Sequence, residues 1–166
     1  MPVGDADLAA KILVDADLRG IDSHGVMNLG GYIQGLRAGT INPRPEIKIA
    51  VGSPTTASVD GDNGLGLVVS HRGMEECLRM AQVYGTGWAT ASNSNHSGAG
   101  AYYVLMAAAQ GMIGIHSSSG GSTVAAPGGK GRLIGNNVLA FAAPGKTHGP
   151  FVLAMAPPRP SANNRH

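Results

Sequence analysis

Leu18-Arg19-Gly20-Ile21-Asp22-Ser23-His24-Gly25-Val26 sets an imidazole beside a hydroxyl and a carboxylate, bracketed by Gly20 and Gly25. Upstream, Asp5 has the place of an N-cap, and Leu8, Ile12 and Leu13 recur at helical spacing up to Gly20, where a glycine suits a helix C-terminus. Downstream, Leu29, Ile33 and Leu36 predict a second helix ending near Gly39. The stretch therefore reads as a tight bend between two helices. A histidine, with an ordinary pKa near ~6.5, gives or takes a proton at neutral pH, so His24 with Ser23 is a candidate acid–base pair. The plain alternative is a helix end whose His24 caps carbonyls.

The remainder alternates strands and helices. Glu46-Ile47-Lys48-Ile49 and Thr55–Val59 predict strands, and Asp60-Gly61-Asp62-Asn63-Gly64 predicts a turn. A helix over about 70–84 places Met74, Cys77, Leu78 and Ala81 on one face, and Trp88–Ala91 reads as a buried strand. Residues 99–110 form a helix apolar nearly all round, which predicts cover on several sides. Short strands follow at 113–115, 139–143 and 151–155, and the prolines from Pro157 predict an irregular tail.

A second candidate cluster is Asn93-Ser94-Asn95-His96-Ser97-Gly98-Ala99-Gly100, between a strand and a helix, where backbone N–H groups favour an anion. Asn95 or Ser97 acting only as the helix cap is the competing reading. A third is Ala125-Ala126-Pro127-Gly128-Gly129-Lys130 with Leu133-Ile134-Gly135-Asn136-Asn137, a phosphate or substrate loop or else plain turns. Gly64-Leu65-Gly66 lacks the third glycine of a dinucleotide fingerprint, and no P-loop pattern occurs. No Cys/His spacing resembles a metal site, and His71, His148 and His166 read as surface residues.

Composition narrows the class. The formal net charge of +2, spread along the chain, carries no electrostatic argument for nucleic acid or an anionic membrane. Cys77 is the single cysteine, fitting a reducing compartment, and no leader or membrane-spanning run is visible, so the expectation is a cytoplasmic protein. Aromatic residues are 4%, so the core must rest on aliphatic side chains, and 26 glycines suit close backbone approaches.

Taken in order, Ala16–Val26, Gly39-Thr40-Ile41-Asn42-Pro43, Val59–Gly64, Asn93–His96, Gly135-Asn136-Asn137 and Ala142-Ala143-Pro144 resemble one family. It is the malate/L-lactate dehydrogenase-like, NAD(P)-dependent 2-oxoacid and imino-acid reductases, whose cofactor fold is not Rossmann. The resemblance covers nearly all of residues 5–155. It implies a mixed α/β (α+β) fold: a helical segment over 1–50, a partial NAD(P)-binding α/β domain over 51–155, and an irregular tail over 156–166. By the same resemblance His24 matches the proton donor to the carbonyl oxygen, and Ser23 the hydroxyl that orients it. His96, Ser97, Gly98, Ala99 and Gly100 match a segment touching the nicotinamide of NAD or NADP. Asn28 and Asn136 fall at substrate-facing positions, the former where the family carries Arg and the latter where it often carries Thr. A small 2-oxo or 2-hydroxy acid substrate and a homodimer are implied.

Three departures stand out. Asn28 cannot grip a carboxylate as Arg does, leaving Arg19, Arg37 or Arg44 as substitutes. Ala154 replaces an Asp in Phe151-Val152-Leu153-Ala154-Met155. The chain is also shorter than the family, which predicts a C-terminally truncated member. An inactive fragment that binds a small anion or dimerises is the competing reading. A hydrolase with Ser23 as nucleophile is disfavoured on the ground that adjacent side chains diverge.

Overall fold

A computed structural model describes residues 1–125 and 131–156. The Gly-Pro segment 126–130 and the tail from Pro157, including His166, lie outside the described residues.

Helix α1 (Val3–Leu18) starts directly after Pro2. Asp5 does not cap it; it sits in the first turn, where its carboxylate meets the positive end of the helix dipole. Proline before the first turn is itself enough to start the helix, which moves the boundary forward. At the other end the Gly20 N–H donates to the Asp17 carbonyl and the Ile21 N–H to the Ala16 carbonyl, both at 2.9 Å. This paired closure requires the left-handed backbone that Gly20 adopts at φ 70°. Two single 3₁₀ turns, Asp22–His24 and Val26–Asn28, then lead into α2 (Leu29–Ala38), which ends at left-handed Gly39. On α2 the buried residue is Tyr32, and of the predicted Leu29, Ile33 and Leu36 only Leu36, one turn after Tyr32, packs on the core while the other two stay exposed.

Strand β1 (Lys48–Ser53) runs antiparallel to β2 (Thr56–Gly64), which lies parallel to β3 (Trp88–Ser94) after a crossover through α3 (Gly66–Tyr84). The expected turn at 60–64 is instead an irregular end of β2. Asp62 and Asn63 take positive φ there and the register with β3 shifts between Asp60 and Gly64. Helix α3 begins before Ser70, adding the buried Leu67, Val68 and Val69. Gly66 permits this start, because a side chain there would overlap the Asn95 and His96 carbonyls. Strand β3 is not buried: it borders β2 on one side only, and Trp88 is 59% exposed.

Helix α4 (Gly100–Ala108) is covered on several sides, as its composition predicts. It packs on a second sheet of order β4-β7-β8, from β4 (Gly114–Ser118), β7 (Val138–Ala143) and β8 (Phe151–Met155). A small hairpin of β5 (Ser122–Ala125) and β6 (Arg132–Gly135) occupies part of the predicted third loop. Ile12, Leu13, Leu67, Met80, Tyr103 and Val104 are fully buried. Burying each such side chain is worth about 1.5–3 kcal/mol. One apolar cluster joins α1, Tyr32, α3 and α4, so the histidine-bearing bend is fixed from below by the core. No helix among the described residues is long and apolar enough to cross a membrane. His148 is exposed, but His71 is not a surface residue: it is partly buried under Tyr102, with its Nδ1 lacking a partner.

Candidate active site

The bend that carries Ser23 and His24 is held by α1. The Asp17 carboxylate, in the last turn of that helix, accepts the Val26 N–H at 3.0 Å. The same carboxylate occupies the space a side chain on residue 25 would need, which is why glycine stands there. Asn28 closes the bend from its far side, its amide donating to the Ser23 carbonyl at 2.9 Å and to the Gly25 carbonyl at 3.3 Å. That amide group is thus engaged in shaping the loop. Within it, Ser23 Oγ and His24 Nδ1 lie 2.9 Å apart. The expected divergence of adjacent side chains fails here: within the 3₁₀ turn both groups still meet in a hydrogen bond.

His96 comes to the same place from the other half of the chain. The Asn95 amide is anchored on the irregular end of β2, donating to the Asn63 and Gly64 carbonyls at 3.0 and 2.9 Å. Asn95 is therefore a clamp between strands, not a helix cap. The α4 cap position belongs to Ala99 and has no side-chain hydrogen bond, so Ser97 does not cap either. With the loop so held, the His96 ring centroid lies 5.5 Å from that of His24, with the planes tilted by 37°. Tyr32 Oη is 2.6 Å from His96 Nδ1. Crowding depresses the His96 pKa below 6.5, desolvation first and the neighbouring His24 charge second. Burial also pushes the Tyr32 hydroxyl up to about 12. At neutral pH both Tyr32 and His96 are uncharged.

A groove of about 1050 Å³ opens between the outer edges of β3 and β4, and neither His24 nor His96 is one of its lining residues. Asn95 and Ser97, the neighbours of His96, line it, and so do Ser92, Ser94, His116 and Ser117. Its floor is apolar, from Met74, Leu78 and Ala107. His116 stacks on Tyr103 with centroids 4.9 Å apart, its Nδ1 is buried without a partner, and desolvation lowers its pKa. Its position, on a strand following an apolar helix and leading into a run of serines, is the signal by which sequence reasoning could have found it. Tyr32 carries no signal in the sequence beyond sharing a helix face with Leu36, because its role depends on His96 from the other half of the chain.

The remaining candidates divide. Gly98, Ala99 and Gly100 are buried, and side chains at 98 and 100 would crowd Leu67 and His116 respectively. These residues serve close packing, and only their backbone is available to a ligand. Asn136 is partly buried between β6 and β7, its Oδ1 unpartnered, but it does not line the groove. Arg19 is paired with Asp15 at 2.7 Å, while Arg37 and Arg44 are exposed. Ala154 lies opposite Ala140 on β8. Among the described residues no group of three or more His, Cys, Asp or Glu is placed to hold a metal ion.

A bound nicotinamide fits this arrangement at one end. The groove offers an apolar floor for a flat ring. The serine hydroxyls that line it suit an uncharged carboxamide and a ribose, whereas the orphaned His116 Nδ1 is buried beside Gly100 and does not open to the groove. The lining includes no Lys or Arg, so a diphosphate finds no charged partner there.

Comparison with known proteins gives a consistent result. A family model described as malate/L-lactate dehydrogenase matches residues 1–161. Malate dehydrogenase of Pyrococcus horikoshii is 46% identical over 156 residues, covering 94% of this chain and 43% of that protein. Its solved structure superposes with a TM-score of 0.89 over 94% of this chain and 44% of that chain. L-sulfolactate dehydrogenase of Methanocaldococcus jannaschii is 42% identical over 94% of this chain and 45% of its own length. Ureidoglycolate dehydrogenase (NAD(+)) of Escherichia coli is 38% identical over 85% of this chain and 40% of its own length, and another relative is named for NADP(+). The chain thus spans less than half the length of these relatives. Matched along nearly its whole length in sequence and superposing closely in structure, it belongs to the malate/L-lactate dehydrogenase family.

Proposed function

We propose that this chain carries the proton-handling and nicotinamide-facing part of a dehydrogenase that interconverts a 2-oxo acid and a 2-hydroxy acid. The observation that carries this reading is the pair of imidazoles 5.5 Å apart, with Asn95 and Ser97 on either side of His96 lining a groove whose walls are uncharged. Relatives named for malate, sulfolactate and ureidoglycolate support the substrate class. Relatives named for NAD(+) and for NADP(+) support a nicotinamide cofactor of either kind.

A nicotinamide held along the groove supplies the hydride for reduction of the 2-oxo carbon. As negative charge builds on the substrate oxygen, protonated His24 gives up its proton to it. Ser23 engages Nδ1 of His24, which assigns that transfer to Nε2 and holds the ring in one orientation. His96 stays neutral, since two charged rings at this separation repel, and it acts as a hydrogen-bonding partner at the same oxygen-rich end of the ligand. Ser97, His116 and the backbone of Gly98, Ala99 and Gly100 complete the cofactor-facing wall in this reading. A homodimer belongs to the same proposal and is supported by the exposed Met27, Leu29 and Ile33 beside the bend.

A second reading, a non-catalytic module that binds a small anion or a partner copy, is favoured by Asn28. Its amide is engaged with the loop and offers no forked cation to a substrate carboxylate. Fluorescence titration with NADH and NADPH, followed by oxidation of the bound cofactor on adding oxaloacetate, separates the two. The dehydrogenase reading requires saturable binding in the ~1 μM to 1 mM range usual for enzymes, and cofactor oxidation. Binding without oxidation by any 2-oxo acid favours the module, and absence of binding removes the dehydrogenase reading for this chain.

A further inference from the structure

We propose that Tyr32 is a positioning residue that sets the tautomer of His96, so that His96 presents a neutral Nε2–H donor to an oxygen acceptor of the ligand. The inference rests on the dehydrogenase reading for its use, but its geometry stands by itself.

Tyr32 is 8% exposed, and among the described residues its hydroxyl makes one hydrogen bond, with His96 Nδ1 at 2.6 Å. The two rings stack with centroids 6.1 Å apart. A hydrogen bond between a phenol and a neutral imidazole has two possible directions. If Nδ1 donated, the phenol proton of the buried Tyr32 would be left without a protein acceptor among the described residues, a loss of about 1–3 kcal/mol. If the phenol donates, both groups are satisfied and the single imidazole proton must sit on Nε2. Burial of Tyr32 holds the phenol protonated, and desolvation with the adjacent His24 favours the neutral form of His96, which removes the case of an imidazolium donating to a phenolate.

His96 and His24 are thereby built alike and used differently. Each has Nδ1 engaged by a hydroxyl, Tyr32 for one and Ser23 for the other. The difference lies in charge: desolvation and the neighbouring His24 hold His96 below the ordinary histidine value, so it is the neutral member. A fixed Nε2–H next to a ring that trades its proton recognises a carbonyl or carboxylate oxygen, and it is a poor host for a cation. Tyr32 thus contributes to orientation without touching the ligand.

Nitrogen NMR of the ¹⁵N-histidine-labelled chain, without cofactor, reads this directly. In the wild-type protein the His96 resonances should show a bare Nδ1 and a protonated Nε2 above the ring's pKa. A protonated Nδ1, or an even mixture of tautomers, would overturn the proposal without any variant being needed. In Tyr32→Phe, which keeps the stacked ring and loses only the donor, the tautomers should mix. The His96 titration should also move upward, because the lost bond had favoured the neutral form. An unchanged tautomer and midpoint in that variant would equally overturn it. The cofactor titration fails or succeeds independently of this readout, so the two claims fall separately.

Discussion

His24 and Gly25 carry the sharpest consequences at the level of single residues. Replacing His24 by Ala removes the group assigned to proton transfer but leaves the groove intact. Turnover should fall by about 10²–10⁴-fold, with little change in cofactor affinity. Steady-state rates beside a fluorescence titration check this, and equal losses in both would assign His24 to binding instead. Gly25→Ala acts through Asp17. The new methyl displaces the carboxylate that accepts the Val26 N–H, and the substitution should lower stability by about 1–3 kcal/mol, read from urea denaturation. A neutral result would show that the Asp17 clamp does not hold the bend. The proton-bearing pair was legible in the chain because Ser23 and His24 lie side by side. Tyr32 was not, because its value comes from a hydrogen bond to a residue sixty-four positions away.

Helix ends fix the site at the level of elements. Gly20 closes α1 in a left-handed conformation with open space around its Cα, so Gly20→Ala meets no obstacle except its own backbone. A cost of about 1–2 kcal/mol is expected from thermal or urea unfolding, and a stabilised variant would contradict the closure described. This end of α1 was readable from spacing, because a glycine after a periodic apolar run has one common use. Helix α4 was readable for a related reason: a segment apolar all round must be enclosed. The position of β3 was not readable. Small and polar residues such as Ala89, Thr90 and Ala91 suit a central or an edge strand equally, and only the arrangement of neighbours exposes it. The irregular end of β2 was hidden likewise, since Asp60–Gly64 is a turn composition that here stays paired in the sheet while supporting Asn95.

The histidines tie the whole molecule to pH. Desolvation is the largest cause holding His71, His96 and His116 below the ordinary value of 6.5. Below 6.5 the unfolded chain takes up protons that the folded chain resists, so the unfolded state binds more protons and stability declines as pH falls. Above that value the rings are neutral in both states and contribute no slope. The midpoint of urea unfolding should therefore drop between about pH 6.5 and 5, at most about 1.4 kcal/mol per pH unit for each ring. His116→Gln should flatten the profile. A stability that rises on acidification through this range would contradict the enclosure of these rings.

The groove between the β3 and β4 edges joins the whole molecule to its proposed chemistry, and the role of the imidazole pair in that chemistry is the central claim. The most direct test is the rate of NADH or NADPH oxidation by oxaloacetate, compared between the wild-type chain and His24→Ala at saturating cofactor. The account predicts measurable oxidation by the wild type and a loss of about a hundredfold or more in the variant, with the cofactor still bound. Equal rates in the two proteins would contradict it.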